Sequence, residues 1–146
     1  MEEQRITSHS VERTIQAGAA FGDVLGAGQV VALLGDLGAG KTHFVKGIAQ
    51  ALGIHPDTVS SPTFSIAQEY RGGRFPLYHI DCYRLSDVAE FERTGAQDYI
   101  GGDGICLIEW PQRIESLLPM DTILVSIRHR GDGGRDIRIL PSPAHA

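Results

Sequence analysis

One short segment of the chain carries the residue types that bind phosphate groups. Residues 33–42, LLGDLGAGKT, contain three glycines followed by a lysine and a threonine. Within it Gly35, Gly40, Lys41 and Thr42 match the pattern G-x-x-x-x-G-K-[ST] in full. Glycines let the backbone curl so that successive N–H groups face phosphate oxygens, while the lysine neutralises phosphate charge. A threonine hydroxyl at this position is suited to ligate Mg²⁺.

The elements predicted on either side provide the setting that this motif requires. Residues 29–34 are β-branched and uncharged and predict a buried strand, and residues 41–52 predict a helix closed by Gly53. The N-terminus of that helix adds its positive dipole end to the phosphate-binding amides. The predicted nucleotide-binding residues of this segment are Leu37, Gly38, Ala39, Gly40, Lys41 and Thr42.

The residue types present also narrow the nucleotide. The sequence contains no asparagine, so the Asn-Lys-x-Asp segment that reads guanine in common GTPases cannot be present. The Ser-Gly-Gly signature of ABC-type ATPases is absent as well. ATP with Mg²⁺ is therefore the predicted ligand pair.

Two acidic residues close strand-like segments and are candidates for the metal site. Glu109 ends ICLIE and Asp81 ends LYHID. Mg²⁺ held by such a threonine usually gains a carboxylate from the end of a nearby buried strand, directly or through water. Our hypothesis places Glu109 near the metal and Asp81 near the metal's waters or the attacking water. A surface acid that caps the next helix is the alternative for each.

Two more residues are candidates near the nucleotide. Thr63 follows Pro62 in an irregular segment, and its hydroxyl would reach Mg²⁺ or the γ-phosphate if this loop closes. A structural proline turn is the alternative. Trp110 directly follows Glu109, and we interpret it as core packing, as a wedge for a switch loop or as a partner contact.

Composition limits the class of protein. A chain of 146 residues with 42% hydrophobic content predicts one domain, residues 1–146, with a frayed tail at 141–146. The net charge of -5 argues against broad capture of nucleic acid or an anionic membrane. The N-terminal residues lack a secretory pattern, so a cytoplasmic location is expected. Cys82 and Cys106 lack the spacing of a zinc site.

The remaining pattern predicts an α/β fold of the P-loop NTPase-like, three-layer type, with a mixed central β-sheet flanked by helices. A helix begins after Ser10, shows a stripe of Ile15, Ala19 and Val24, and ends near residues 26–28. Segments 64–70 and 75–81 predict a hairpin. Further elements are a short helix at 87–93 and strands at 105–109, 122–130 and 136–140.

Four blocks, GDLGAGKT, SPTF, HIDCYRL and IEWPQR, together resemble the TsaE family of bacterial P-loop ATPases, formerly called YjeE. The resemblance is strongest from residue 35 to residue 119. It implies a cytosolic ATPase required to form N6-threonylcarbamoyladenosine at position 37 of tRNAs that read ANN codons. The family's ATP hydrolysis supports multiple turnover of a transferase complex with TsaB and TsaD, and tRNA contact is expected to be indirect.

The resemblance also implies roles for individual residues. Lys41 and Thr42 would serve phosphate and Mg²⁺, Glu109 Mg²⁺ and Asp81 hydrolysis, with Trp110 beside the site. The implied catalytic residues are Lys41, Asp81 and Glu109.

Two positions near the ends of the chain take roles from the same resemblance. Arg135 falls where the family carries a nucleotide-contacting arginine, and Ser10 falls near an adenine-side contact. A solvated hairpin arginine and a plain helix cap are the respective alternatives.

Two other functions remain open on the residues alone, namely a nucleotide-gated binding module with little turnover and a small-molecule kinase. A kinase needs an acceptor pocket and an arginine-rich lid, for which 146 residues leave little room. No arginine finger is evident near the loop, so hydrolysis is predicted to be slow alone and activated by partners.

Overall fold

The computed structural model describes residues 2–35, 40–59 and 66–141. Within these ranges the chain forms seven strands and three α-helices, joined by turns and short 3₁₀ segments. The strands are β1 (Gln4–Ser8), β2 (Val30–Leu34), β3 (Ala67–Tyr70), β4 (Leu77–Asp81), β5 (Ile105–Glu109), β6 (Ile123–His129) and β7 (Arg135–Leu140). The helices are α1 (Val11–Gly22), α2 (Lys41–Leu52) and α3 (Val88–Arg93), and the longest 3₁₀ segment is Pro111–Leu117.

The strands form one mixed sheet in the order β1-β7-β6-β2-β5-β4-β3. The central strand β2 runs parallel to β5 and β6, and β5 runs parallel to β4. The outer pairs β1/β7, β7/β6 and β3/β4 are antiparallel. Parallel strands end at the same edge of a sheet, and there Leu33, Glu109 and Asp81 are successive register partners.

Helical elements cover both faces of the sheet. One face packs against α1 and α2 through a core that includes Phe21, Phe44, Ile48 and Leu107. The other packs against α3 and the neighbouring 3₁₀ segments. Because both faces are covered, the central strands are apolar throughout rather than alternating. The predicted three-layer α/β architecture is confirmed.

The predicted packing face and end of α1 were wrong. The helix ends at Gly22, and Val24, which we placed in its apolar stripe, is 61% exposed. The face that packs instead consists of Thr14, Ala17, Gly18, Phe21 and Gly22. A Cβ atom at Gly18 would lie 2.1 Å from a backbone oxygen of Phe44 in α2. The packing face of α1 is therefore determined by the close approach of the two backbones. Small residues allow that approach but do not stand out in a hydrophobicity pattern.

Strand β1 was not predicted. It is an edge strand paired only with β7, and its exposed residues do not alternate between apolar and polar types. Nearby charges pair across this edge, with Arg138 Nη2 2.7 Å from Glu3 Oε1. Backbone pairing rather than an apolar face thus defines this strand.

Most other element predictions are confirmed, with small differences in their bounds. The β3/β4 hairpin begins its strands at Ala67 and Leu77, and residues 64 and 65 lie outside the described ranges. Of the predicted tail at residues 141–146, residues 142–146 also lie outside them. Among the described residues, no helix combines the length and apolar character needed to cross a membrane.

Candidate active site

The backbone N–H groups in the first turn of α2 are available as hydrogen-bond donors. Its N-cap residue, Gly40, has φ 99° and ψ 14°, a left-handed conformation that favours glycine. Among the residues that the structure describes, no side chain caps this helix end by a hydrogen bond. First-turn amides lack partners within a helix, so they are available to an anion. The predicted phosphate contacts Leu37, Gly38 and Ala39 lie outside the described residues.

The side chain of Lys41 is buried at the carboxyl ends of β2 and β5. Its Nζ donates a hydrogen bond to the Gly35 carbonyl at 2.9 Å and lies 3.3 Å from Glu109 Oε1. The same ammonium lies 5.3 Å from the centre of the Trp110 ring. A buried cation requires such partners, and these hold Lys41 beside the open end of α2.

The carboxylate of Glu109 has a second buried partner. Its Oε2 lies 2.6 Å from Nε2 of His79, which is fully buried in β4. Burial alone would raise the pKa of Glu109, but the hydrogen bond and charge of His79 and the charge of Lys41 outweigh it, so the pKa is lowered. Sequence reasoning did not connect His79 with Glu109; the signal for a buried partner was a polar residue inside an apolar strand.

Asp81 stands beside Glu109 on the neighbouring strand, in a more open position. Its Oδ1 accepts a hydrogen bond from the Tyr83 backbone N–H at 2.9 Å. Partial burial raises the pKa of Asp81 against the effect of that hydrogen bond, and the charge of Glu109 raises it further. The pKa values of two adjacent carboxyl groups are thus shifted in opposite directions.

Trp110 turns the chain sharply after β5. Its φ of 55° and ψ of 51° are left-handed, and within the described ranges it is the one residue other than glycine with a positive φ. Such a conformation is unusual for a bulky residue. It sets the indole ring against Tyr83, with ring centres 4.9 Å apart, and beside Lys41. Sequence reasoning placed Trp110 near the site but gave no signal of this backbone conformation.

A cavity of about 490 Å³ opens above these groups. Of the predicted site residues, those that line it are Ser10, Gly40, Lys41, Thr42, Glu109 and Arg135. It therefore unites the N-termini of α1 and α2, the end of β5 and the β6/β7 hairpin. Asp81 and Trp110 do not line it: Asp81 is the register partner of Glu109, and Trp110 lines a separate, smaller cavity. Thr63 lies outside the described residues.

The residues at the cavity rim also have structural partners. The Ser10 hydroxyl accepts a hydrogen bond from the Arg13 N–H at 3.0 Å and so caps α1, as its sequence predicted. Arg135 Nη1 donates to the carbonyls of Gly133 and Gly134, each at 3.1 Å. His9 and Val11 line the same rim and were not predicted as site residues.

The oxygen donors at the cavity can be compared with the ligands that a magnesium–nucleotide complex needs. Across residues 2–35, 40–59 and 66–141, no three His, Cys, Asp or Glu side chains are grouped so as to hold a metal ion. Thr42 and Glu109 offer one hydroxyl and one carboxylate at the cavity, next to the Lys41 ammonium. Mg²⁺ bound with phosphates uses one or two carboxylates and keeps waters, so this smaller set suffices.

The sheet, the uncapped helix after β2 and the buried lysine define an α/β protein of the P-loop type. Comparison with known proteins makes this specific. The family described as "Threonylcarbamoyl adenosine biosynthesis protein TsaE" matches residues 8–137. The chain belongs to the TsaE family, as its sequence blocks predicted.

Individual relatives agree with this assignment. The tRNA threonylcarbamoyladenosine biosynthesis protein TsaE of Treponema pallidum is 44% identical over 135 residues, which cover 92% of this chain and 98% of that protein. Its counterpart in Bacillus subtilis is 49% identical over 110 residues, covering 75% and 68%. The crystal structure of YdiB from Bacillus subtilis matches with a TM-score of 0.81 at 33% identity, covering 99% of this chain and 88% of that one.

Proposed function

We propose that this protein binds and hydrolyses ATP with Mg²⁺ and acts with TsaB and TsaD to form N6-threonylcarbamoyladenosine at position 37 of tRNAs that read ANN codons. We place this activity in the cytoplasm, with only indirect contact to tRNA. The observation that carries the nucleotide part is the Lys41 ammonium, 7% exposed, at a cavity formed by the uncapped start of α2. Family membership supports the tRNA pathway.

Residues of this chain divide the work of binding. Lys41 and the open amides of α2 would bind the phosphates, because a buried ammonium and the positive end of a helix meet there. Thr42 and Glu109 would hold Mg²⁺, which when bound neutralises charge on the phosphate oxygens. The remaining proposed nucleotide contacts are Ser10, Leu37, Gly38, Ala39, Thr63, Trp110 and Arg135.

Asp81 is the residue we assign to the attacking water. Its carboxyl group is partly exposed, adjacent to Glu109 in the sheet register, and has its pKa raised chiefly by burial. A carboxylate with a raised pKa exchanges a proton more readily near neutral pH, and the Tyr83 N–H fixes its orientation. Asp81 would therefore orient the water and accept its proton.

The test combines calorimetric titration of the purified protein with a hydrolysis assay. ATP with Mg²⁺ should bind wild type, and Lys41→Ala should bind about 10- to 100-fold more weakly, because a charge-assisted hydrogen bond to phosphate is lost. Lys46→Ala, on the same helix but away from the cavity lining, is the matched control. Absence of binding by wild type would reject the proposal.

The same samples separate the other functions. Release of inorganic phosphate should accelerate when TsaB and TsaD are added, and equal rates would contradict a role with these partners. Phosphate transferred to a metabolite instead would identify a small-molecule kinase. If Asp81→Ala and Glu109→Ala retained both ATP affinity and partner function, the protein would be a nucleotide-gated binding module.

A further inference from the structure

His79 is a polar side chain inside an apolar layer. It lies on β4, opposite Leu107 of β5 in the register, and its relative exposure is 0%. Side chains alternate along a strand, so it shares a face with Leu77 and Asp81 of β4 and with Leu107 and Glu109 of β5. That face packs on α1 and α2. A buried imidazole there needs a hydrogen-bond partner, and the Glu109 carboxylate is the one it contacts.

The contacts of the ring assign its tautomer. Nε2 lies 2.6 Å from Glu109 Oε2, whereas the buried Nδ1 has no hydrogen-bond partner among the described residues. A hydrogen on Nε2 meets the Oε2 acceptor, whereas a hydrogen on Nδ1 would meet none, so we place the donor on Nε2. His79 thus donates to Oε2 of Glu109.

The carboxylate is consequently divided between two neighbours. Oε2 is held by His79 from the core side, and Oε1 faces the Lys41 ammonium at 3.3 Å, at the cavity. If another cation replaced Lys41 beside Glu109, only Oε1 would become available to it. The buried imidazole of His79 would still donate its hydrogen bond to Oε2. The His79 contact therefore leaves Oε1, beside Lys41, as the oxygen available to a cation.

We propose that His79 is a positioning residue that restricts Glu109 to a single-oxygen ligand and so favours Mg²⁺ over Ca²⁺ at the nucleotide site. The inference rests on the proposed function, because it needs the cation to bind with ATP. Mg²⁺ demands near-ideal octahedral geometry, whereas Ca²⁺ accepts both oxygens of one carboxylate at longer distances. A hydrogen-bond donor fixed on Oε2 disfavours the binding of Ca²⁺ by both oxygens of Glu109.

The test compares His79→Leu, which lacks a donor, with His79→Gln, which retains one. ATP affinity is measured by calorimetry with Mg²⁺, with Ca²⁺ and with a chelator. In His79→Leu the affinity gained from Mg²⁺ should fall about 10- to 100-fold, as is typical when the partner of a metal ligand is removed. The preference for Mg²⁺ over Ca²⁺ should fall with it, while affinity in chelator changes by less than about twofold. His79→Gln should restore part of the preference.

Two controls show whether the effect passes through Glu109. His55→Gln replaces a histidine whose side chain is 70% exposed and should change nothing. In the Glu109→Gln background, His79→Leu should cause no additional loss of Mg²⁺ dependence, since coupled residues are not additive. Additive losses would overturn the inference.

The outcomes separate this inference from the proposed function. If wild type showed no Mg²⁺-dependent ATP binding, the proposed function would fail. If wild type bound but both His79 variants kept its Mg²⁺ to Ca²⁺ preference, only the role of His79 would be rejected. Should His79→Leu not fold, His79→Gln compared with the shorter His79→Asn decides, because the shorter amide withdraws its donor from Oε2.

Discussion

The ends of β4 and β5 carry one acid each, and the two acids occupy opposite environments. Glu109 is 6% exposed, and both of its carboxylate oxygens contact positive or donor groups. Asp81, its register partner, is more open and accepts a backbone N–H from Tyr83. Burial acts against both charges, but only Glu109 has partners that overcome it, so its pKa is lowered while that of Asp81 is raised.

Adjacent carboxyl groups can acquire different chemical properties from their surroundings. An acid with a lowered pKa stays ionised and suits cation binding, whereas an acid with a raised pKa suits proton exchange. The environments, rather than the residue types, separate the two. Three perturbations test the comparison.

The largest effect is expected from Glu109→Ala. It leaves the Lys41 ammonium and the His79 imidazole buried without their carboxylate, which should reduce the free energy of unfolding by about 3–5 kcal/mol. Asp81→Ala should lose less than about 1.5 kcal/mol, because it removes one hydrogen bond at a partly exposed position. Urea denaturation of both variants measures this, and equal losses would contradict the asymmetry.

The next effect concerns the rate of ATP hydrolysis in Asp81→Asn, and in free energy it is smaller than the loss of stability expected for Glu109→Ala. With TsaB and TsaD present, ATP hydrolysis should fall about 100-fold, because the amide cannot accept a proton. Calorimetry should show ATP affinity close to wild type. Glu109→Gln is the matched variant and should instead weaken the Mg²⁺-dependent affinity. If the two variants gave the same pattern, the separation of roles would be wrong.

The smallest effect is expected in the pH dependence of stability. Folding lowers the pKa of Glu109, so its contribution is present above the ordinary glutamate value of about 4.3 and is lost as pH falls through the lower folded value. Folding raises the pKa of Asp81, so its ionised form costs stability at neutral pH, and this cost disappears as pH falls through the raised value towards about 3.9.

Urea denaturation between pH 7 and pH 3 distinguishes the two signs. Asp81→Asn should be stabilised relative to wild type at pH 7 by less than about 1 kcal/mol, since solvent screens the charge, and the advantage should vanish on acidification. Glu109→Gln should be less stable than wild type at pH 7, and its deficit should shrink as pH falls. Parallel pH profiles for the two variants would show that the environments are alike.

Several features of the site follow from local sequence alone. The apolar run of β2, the glycines and lysine after it and the helix that follows are neighbours along the chain, so their order predicts a phosphate-binding turn. The positions of Glu109 and Asp81 at strand ends are equally local. Because parallel strands end at the same edge of a sheet, the two acids lie together, as the register shows.

Other features depended on contacts between distant segments. The packing face of α1 was predicted wrongly, because the close approach of α2 at Gly18 decides it. Strand β1 exists through backbone pairing with β7, more than a hundred residues later in the chain. The left-handed conformation of Trp110 had no local glycine or asparagine to announce it.

Residue types and the periods of strands and helices are local properties, so the amino-acid sequence was enough to identify the side chains that could bind a phosphate and a cation. The tertiary structure alone decided that His79 meets Glu109 and that Lys41 meets the same carboxylate. Those contacts join β4, β5 and α2 and lower the pKa of Glu109, whereas burial raises the pKa of Asp81. Burial and partners arise only when distant segments pack, so no local pattern encodes them.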